Sequence, residues 1–205
     1  MPVHGLESRK PGLAAGLAPT LIRGESPLLI SMPHVGTWLG EGYTGRITAP
    51  AKREIRQRTA DWWDPYHLLL ASELERIVTA QGHAVLLDAH SIRGELPWLF
   101  EGELPDMNIG TLDAVSCLPG LRKEVEGVFA AQRDYRYVLD GRFKGGFVTR
   151  RYGASHAGVH AVQLEMRWRT CMHESPPCHF DTQRAQALHP LLERQVQTLL
   201  AWQPG

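Results

Sequence analysis

A chain of 205 residues, 43% of them hydrophobic, has enough apolar material for one globular domain with a real core. Basic and acidic side chains balance at 22 each, so no overall field favours nucleic acid or an anionic membrane, and a small or mixed-charge partner fits better. Three cysteines, with no C-x-x-C pair among them, argue against a secreted disulfide framework. No apolar run has the length of a signal peptide or a bilayer span. The sequence is therefore expected to be cytoplasmic, as a monomer or a homo-oligomer.

Residues 1–26 are rich in Gly, Pro and Ala without sustained periodicity and read as an N-terminal arm, with residues 27–205 as a single domain. Pro27 to Met32 is a short apolar run that suits a buried strand. Pro33 cannot extend a central ladder and stops it, which leaves His34 at the strand's C-terminal end. Glu54 to Gln81 carries a helical pattern through Leu68, Leu69, Ala71, Leu74, Ile77 and Val78, interrupted at Pro65 and closed by Gly82. His83 to Asp88 is a continuous apolar run, the pattern of a strand covered on both faces, and it delivers Asp88, His90 and Ser91 to its tip.

Ser91 to Cys117 is rich in Gly, Pro, Asp and Asn around Trp98, Leu99 and Phe100, which predicts a long, partly packed loop. A helix over 121–132 and a strand over 135–139 follow. Gly141 to Gly146 is a loop whose glycines let backbone approach a ligand closely. Val159 to Met166 is another buried strand, ending near Glu165, and Asp181 is the N-cap of a terminal helix. Strands alternating with helices predict an α/β fold with a mixed or mostly parallel sheet flanked by helices. Ligands in such sheets gather outside the carboxyl ends of strands, which brings His34, His90 and Glu165 into one argument.

Hydrolysis of an amide near neutral pH needs an activated water, and a divalent metal held by two imidazoles and an oxygen ligand supplies one. His34 and His90 offer the imidazoles. Each can equally be a strand-end histidine bonded to backbone. Asp88 is placed to orient His90 from behind. Glu165 interrupts an apolar strand, so it needs a partner or a raised pKa; a general base and a structural ion pair with Arg167 or Arg169 both satisfy that. Arg142, Lys144 and Arg150 cluster around flexible backbone and suit an anionic substrate, with solvated surface charge as the alternative. His156, His160, His173 and His179 read as structural, and Cys171, Cys178 and His179 match no standard zinc spacing.

These residues resemble the N-formylglutamate amidohydrolases. The resemblance rests on LLISMPHVGT at 28–37, WWDPYH at 62–67, LLDAHSIRGELPWLFEGELPDMNIGT at 86–111, GRFKGGFVTRRYG at 141–153 and GVHAVQLEMRWRTCM at 158–172. It implies a fold like that of zinc carboxypeptidases and hydrolysis of N-formyl-L-glutamate to formate and L-glutamate in histidine breakdown, with a divalent metal, zinc, as cofactor. By the same resemblance His34 and His90 become metal ligands and Glu165 the general base. Arg142, Lys144, Arg150 and Arg93 become the groups that hold a small anionic N-acyl amino acid.

The chain departs from the family pattern where Thr48 to Arg53 runs directly into Glu54, without the D-T-D-W-H and D-L-N-R segments expected there. The third metal ligand is then unassigned, with Glu41, Asp61 and Asp64 as candidates. Trp98 stands where the family tends to carry a basic residue. A carboxylate-binding homologue with impaired catalysis and an amidase for another N-acyl amino acid therefore stay open as alternatives. His34 and His90 are expected to converge within reach of one ion.

Overall fold

A computed structural model describes residues 19–33, 56–175 and 178–205. The chain divides into two compact units, Met1–Glu25 with Val35–Arg76, and Ser26–His34 with Ile77–Gly205. In the first, a π-helical turn, Thr59–Trp63, leads into helix α1, Asp64–Gln81, whose residues from Ile77 onward belong to the second. Pro65 sits in the first turn of α1, where its missing N–H is tolerated, so the expected interruption becomes a change of helix type. Glu73 of α1 is buried and accepts hydrogen bonds from Arg23 Nη2 at 2.6 Å and Arg76 Nε at 2.7 Å. Burial works against its charge, but the two guanidiniums outweigh it and hold the carboxyl below its ordinary range.

The second unit is built on a five-stranded sheet. Its strands are β1 (Leu28–Ser31), β2 (Ala84–Ile92), β3 (Met107–Gly110), β4 (Tyr137–Leu139) and β5 (Val159–Arg167), in the order β1-β2-β5-β3-β4. β1, β2 and β5 run parallel, while β3 is antiparallel to β5 and parallel to β4. The sheet is mixed and mostly parallel, as the alternation of elements predicts. Its helices are α2 (Pro119–Ala130), the short α3 (Phe147–Tyr152) and α4 (Thr182–Ala201). A two-stranded ribbon, β6 (Met172–His173) with β7 (His179–Phe180), precedes α4.

Alternation along the strands separates two chemistries. Val85 and Leu87 of β2, Val162 and Leu164 of β5, and Met107 and Ile109 of β3 enter one core with Leu121, Val125 and Phe129 of α2 and Leu188, Leu191 and Leu199 of α4. The residues between them point to the opposite face. Gly82, at φ +79°, closes α1 by donating its N–H to Val78 O at 2.8 Å. The predicted cap of α4 is present, with the Asp181 carboxylate accepting the Arg184 N–H at 3.1 Å.

Three elements depart from the sequence expectation. The segment predicted as loop from Ser91 to Cys117 contains β3, and residues 147–152 form α3. The ribbon β6–β7 is likewise unforeseen. β3 has four residues, two of them Asn and Gly, which is too few for a periodic signal. It is a strand because β4 and β5 flank it and all four residues are buried.

Candidate active site

The side chains opposite the helical core form a continuous polar line. Parallel register sets Ser31 beside Asp88, Asp88 beside Gln163, and His90 beside Glu165. The antiparallel ladder adds Asn108 beside Glu165 and Gly110 beside Gln163. Residues in register share a face, so six polar side chains and one bare glycine meet on the same surface of the sheet.

Hydrogen bonds join two parts of this line. Ser31 Oγ donates to Asp88 Oδ1 at 3.2 Å, and Asp88 Oδ2 holds His90 Nε2 at 2.9 Å. Asn108 Nδ2 donates to the carbonyls of Pro105 at 3.0 Å and of Glu165 at 3.2 Å, tying the start of β3 to the end of β5. Asp88, Asn108, Gln163 and Glu165 are buried, whereas the His90 imidazole keeps 20% of its surface open. Holding Nε2 against Asp88 puts the ring proton there and the lone pair on Nδ1, the relation a carboxylate imposes on a ligating or basic histidine.

Burial pushes the Glu165 carboxyl up, the nearby His90 partly offsets this, and the Asp88 charge adds to it. The group is pushed up to about 7. Burial alone would lower the His90 imidazole, but its hydrogen bond to Asp88 and the charges of Asp88 and Glu165 raise it above its ordinary value. Of the two readings of Glu165, the ion pair with Arg167 or Arg169 is not formed. Arg167 binds Glu103 and Glu174, and Arg169 binds Glu103 and Asp106. Among the described residues Glu165 makes no salt bridge.

The loop 141–146 lies against this surface beside Gln163 and Gly110. A Cβ on Gly110 would meet Lys144 C at 2.6 Å and Gly145 N at 2.7 Å, so the loop backbone occupies the space that any side chain would take. Leu112 N–H donates to Lys144 O at 2.7 Å, and Gly146 N–H donates to Gln163 Oε1. The loop's entry is pinned by Asp140, which accepts Thr111 N–H and Thr111 Oγ1, each at 2.6 Å, and Arg122 Nε at 3.2 Å.

The candidate substrate cations are not equivalent. Arg142 is exposed and lies 5.1 Å over the Phe100 ring. Arg150 is exposed and donates to Gly145 O at 2.8 Å, bracing the loop. Lys144 is engaged by Asp113 at 2.9 Å, and Arg93 by the carbonyl of Glu174 at 3.0 Å. His34 and Glu41 lie outside the described residues, and with them the expected convergence of His34 and His90. Asp61 and Asp64 belong to the other compact unit, at the π-helical turn and the start of α1. No group of three His, Cys, Asp or Glu suited to a metal ion occurs among the described residues.

Sequence reasoning passed over Ser31, Asn108 and Gln163. Gln163 carried a usable signal, since it lies two residues before Glu165 in an otherwise apolar run and so shares its face. Asn108 carried none, because the segment around it reads as loop.

Comparison with known proteins gives one consistent result. The N-formylglutamate amidohydrolase family model matches residues 42–172. The chain is 45% identical over 154 residues to an N-formylglutamate deformylase of Pseudomonas aeruginosa, covering 75% of this chain and 58% of that protein. It is 44% identical to one of Pseudomonas putida with the same coverage. The chain thus spans little more than half the length of the curated relatives it matches. Among solved structures it is similar to an N-formylglutamate amidohydrolase from Ralstonia eutropha, with a TM-score of 0.59 at 22% identity, over 72% of this chain and 52% of that one. A protein of Agrobacterium tumefaciens gives a TM-score of 0.51 at 15% identity, over 74% and 56%. These two likenesses support the α/β fold.

Proposed function

The chain belongs to the N-formylglutamate amidohydrolase family, and from that premise we propose that it hydrolyses the amide bond of N-formyl-L-glutamate to formate and L-glutamate. The observation that carries the reading is the Asp88–His90 hydrogen bond set in register beside a buried Glu165 that has no ion-pair partner among the described residues. Family membership alone would leave the chemistry unplaced on this chain, and the geometry alone would leave the substrate unnamed.

In this reading Glu165 takes a proton from the attacking water and passes it to the departing nitrogen. Asp88 keeps the His90 ring oriented and its proton on Nε2. Arg142, exposed on the loop that lies against the site, and Arg150, exposed on α3 just after it, hold the substrate carboxylates. Lys144 and Arg93 would join them only by leaving Asp113 and the Glu174 carbonyl. A divalent metal, zinc in our reading, fits the carboxylate-backed imidazole of His90, with His34 as a second ligand; when bound it would polarise the formyl carbonyl and bring the attacking water's pKa to about 7. The three cysteines are free thiols, which suits a reducing cytoplasm, and histidine breakdown is the setting the family resemblance implies.

Purified protein supplied with zinc or cobalt should release formate from N-formyl-L-glutamate, and Glu165→Gln should remove that activity. Absence of turnover above the Glu165→Gln level with every divalent metal tried would sink the enzyme reading. Tight binding of L-glutamate without turnover would replace it with a carboxylate-binding protein. A panel of N-formyl, N-acetyl and dipeptide substrates separates a deformylase from another amidase on the same fold.

A further inference from the structure

We propose that Gln163 determines substrate specificity at this site, its Nε2 donating a hydrogen bond to a carbonyl or carboxylate oxygen of the substrate. The assignment rests on the amide-hydrolase reading above and extends it to a residue that reading does not use.

The first support is position. Gln163 is only 5% exposed, on the polar face, in register with Asp88 on one side and Gly110 on the other, and two residues before Glu165. No strand residue with its side chain on that face of β5 lies closer in sequence to Glu165, apart from Arg167, which is committed to Glu103 and Glu174.

The second support is the orientation of its amide. An amide can usually be turned over without a visible penalty, but here a backbone N–H settles the matter. Gly146 N–H donates to Gln163 Oε1, and only the oxygen can accept it. Nε2 is thereby turned away from the loop, and it makes no hydrogen bond among the described residues. It forms no hydrogen bond to the neighbouring Asp88, whose Oδ1 accepts from Ser31 and whose Oδ2 holds His90. Nε2 is not among the sealed polar atoms that lack a partner, so its two donors are open to an oxygen arriving at the surface of the site.

The third support is chemical fit. Nε2 is a neutral donor with no acceptor lone pair, so it selects an oxygen and rejects an N–H or a hydrocarbon. In N-formylglutamate the available oxygens are the formyl carbonyl and the two carboxylates. Arg142 of the loop and Arg150 of α3, both exposed, supply charge for carboxylates. Gln163 supplies directional recognition from the buried sheet, where a second cation would itself need a partner.

Two substitutions separate donation to substrate from mere anchoring of the loop. Gln163→Glu keeps an oxygen for Gly146 N–H but removes both donors, while Gln163→Met removes both functions without adding charge. KM for N-formyl-L-glutamate should rise about tenfold or more in both variants, with kcat changed far less, as expected for loss of one hydrogen bond to a substrate oxygen. Amide exchange across residues 144–152 should match wild type in Gln163→Glu. Calorimetry with L-glutamate distinguishes the oxygens: weakened binding in both variants points to a carboxylate, and unchanged binding to the formyl carbonyl. A wild-type KM in Gln163→Glu, with or without an effect in Gln163→Met, overturns the proposal and leaves Gln163 as a loop anchor. Wild-type protein that hydrolyses no N-formyl amino acid overturns the functional reading and this assignment together, whereas normal turnover with unchanged KM in both variants overturns this assignment alone.

Discussion

Glu165 and Arg167 lie two residues apart on β5, share a face, and are both buried, yet they are treated in opposite ways. Arg167 is saturated: Nε and Nη2 bind Glu174 at 3.1 and 3.2 Å, and Nη1 binds Glu103 and approaches Leu104 O at 3.4 Å. Its packing is tight enough that a Cβ on Gly94 would fall 1.8 Å from Arg167 Nε. Glu165 has no such partner among the described residues and sits with its carboxyl pushed up to about 7. A buried charge that is fully paired holds structure, while one left unpaired beside an oriented histidine is available for chemistry. The change from one regime to the other takes a single step along the strand.

That contrast can be broken experimentally, beginning with the largest effect. Glu165→Gln should lower kcat for formate release by about 10³-fold while leaving the melting temperature unchanged or raised, if Glu165 is the proposed general base and, as among the described residues, makes no ion pair. A large loss of stability in this variant would place Glu165 with Arg167 as a structural residue. The converse substitution, Arg167→Met, should cost about 3 kcal/mol in denaturant unfolding, since it strands Glu174 and removes a partner of Glu103. Near-neutral stability would show that the network is replaceable by apolar packing.

Asp88→Asn tests the coupling between the regimes. It keeps the size of the side chain but no longer fixes the His90 proton by charge, so activity or metal affinity should fall about 10- to 100-fold. A variant with wild-type activity would remove Asp88 from the site. The smallest effect is on acid stability. Glu103 is held down at about 2 from an ordinary 4.5, first by its hydrogen bond to Arg167 and then by Arg136. Its folded-state pKa is depressed, so its stabilisation is present above about 4.5 and is lost as pH falls towards about 2. The stability gap between wild type and Glu103→Gln should therefore be constant near neutrality and close across that acid window. A gap that does not change between those limits would show that the guanidiniums around Glu103 contribute nothing measurable.

How far the site could be read in advance depended on the range of the interaction concerned. The cores of β2 and β5 announce themselves as continuous apolar runs, and Asp88, His90 and Glu165 stand out as polar residues at or near their tips. What no run of residues displays is register. Pairing of His90 with Glu165 depends on how two distant strands align, and a shift of one position would have turned one of them into the helical core. β3 was hidden for the same reason, since its identity comes from its neighbours. The alternatives left open for the cations also needed tertiary structure: Lys144 finds Asp113 across two loops, and the partners available to Arg167 and Arg169 explain why Glu165 is left unpaired.

The hydrogen bonds that stitch the polar line together also say when it can exist. Ser31 with Asp88 and Asn108 with Glu165 each close 57 residues of chain, and neither bond can form from local structure alone. Closing such spans costs entropy before any contact repays it, so folding of this unit is governed by non-local strand pairing and not by the speed of its helices. The candidate site is accordingly one of the last parts of the molecule to be assembled, and a chain with its helices formed but β2 and β5 unpaired would be compact, helical and catalytically silent. Recovery of activity during refolding should lag behind recovery of helical circular dichroism.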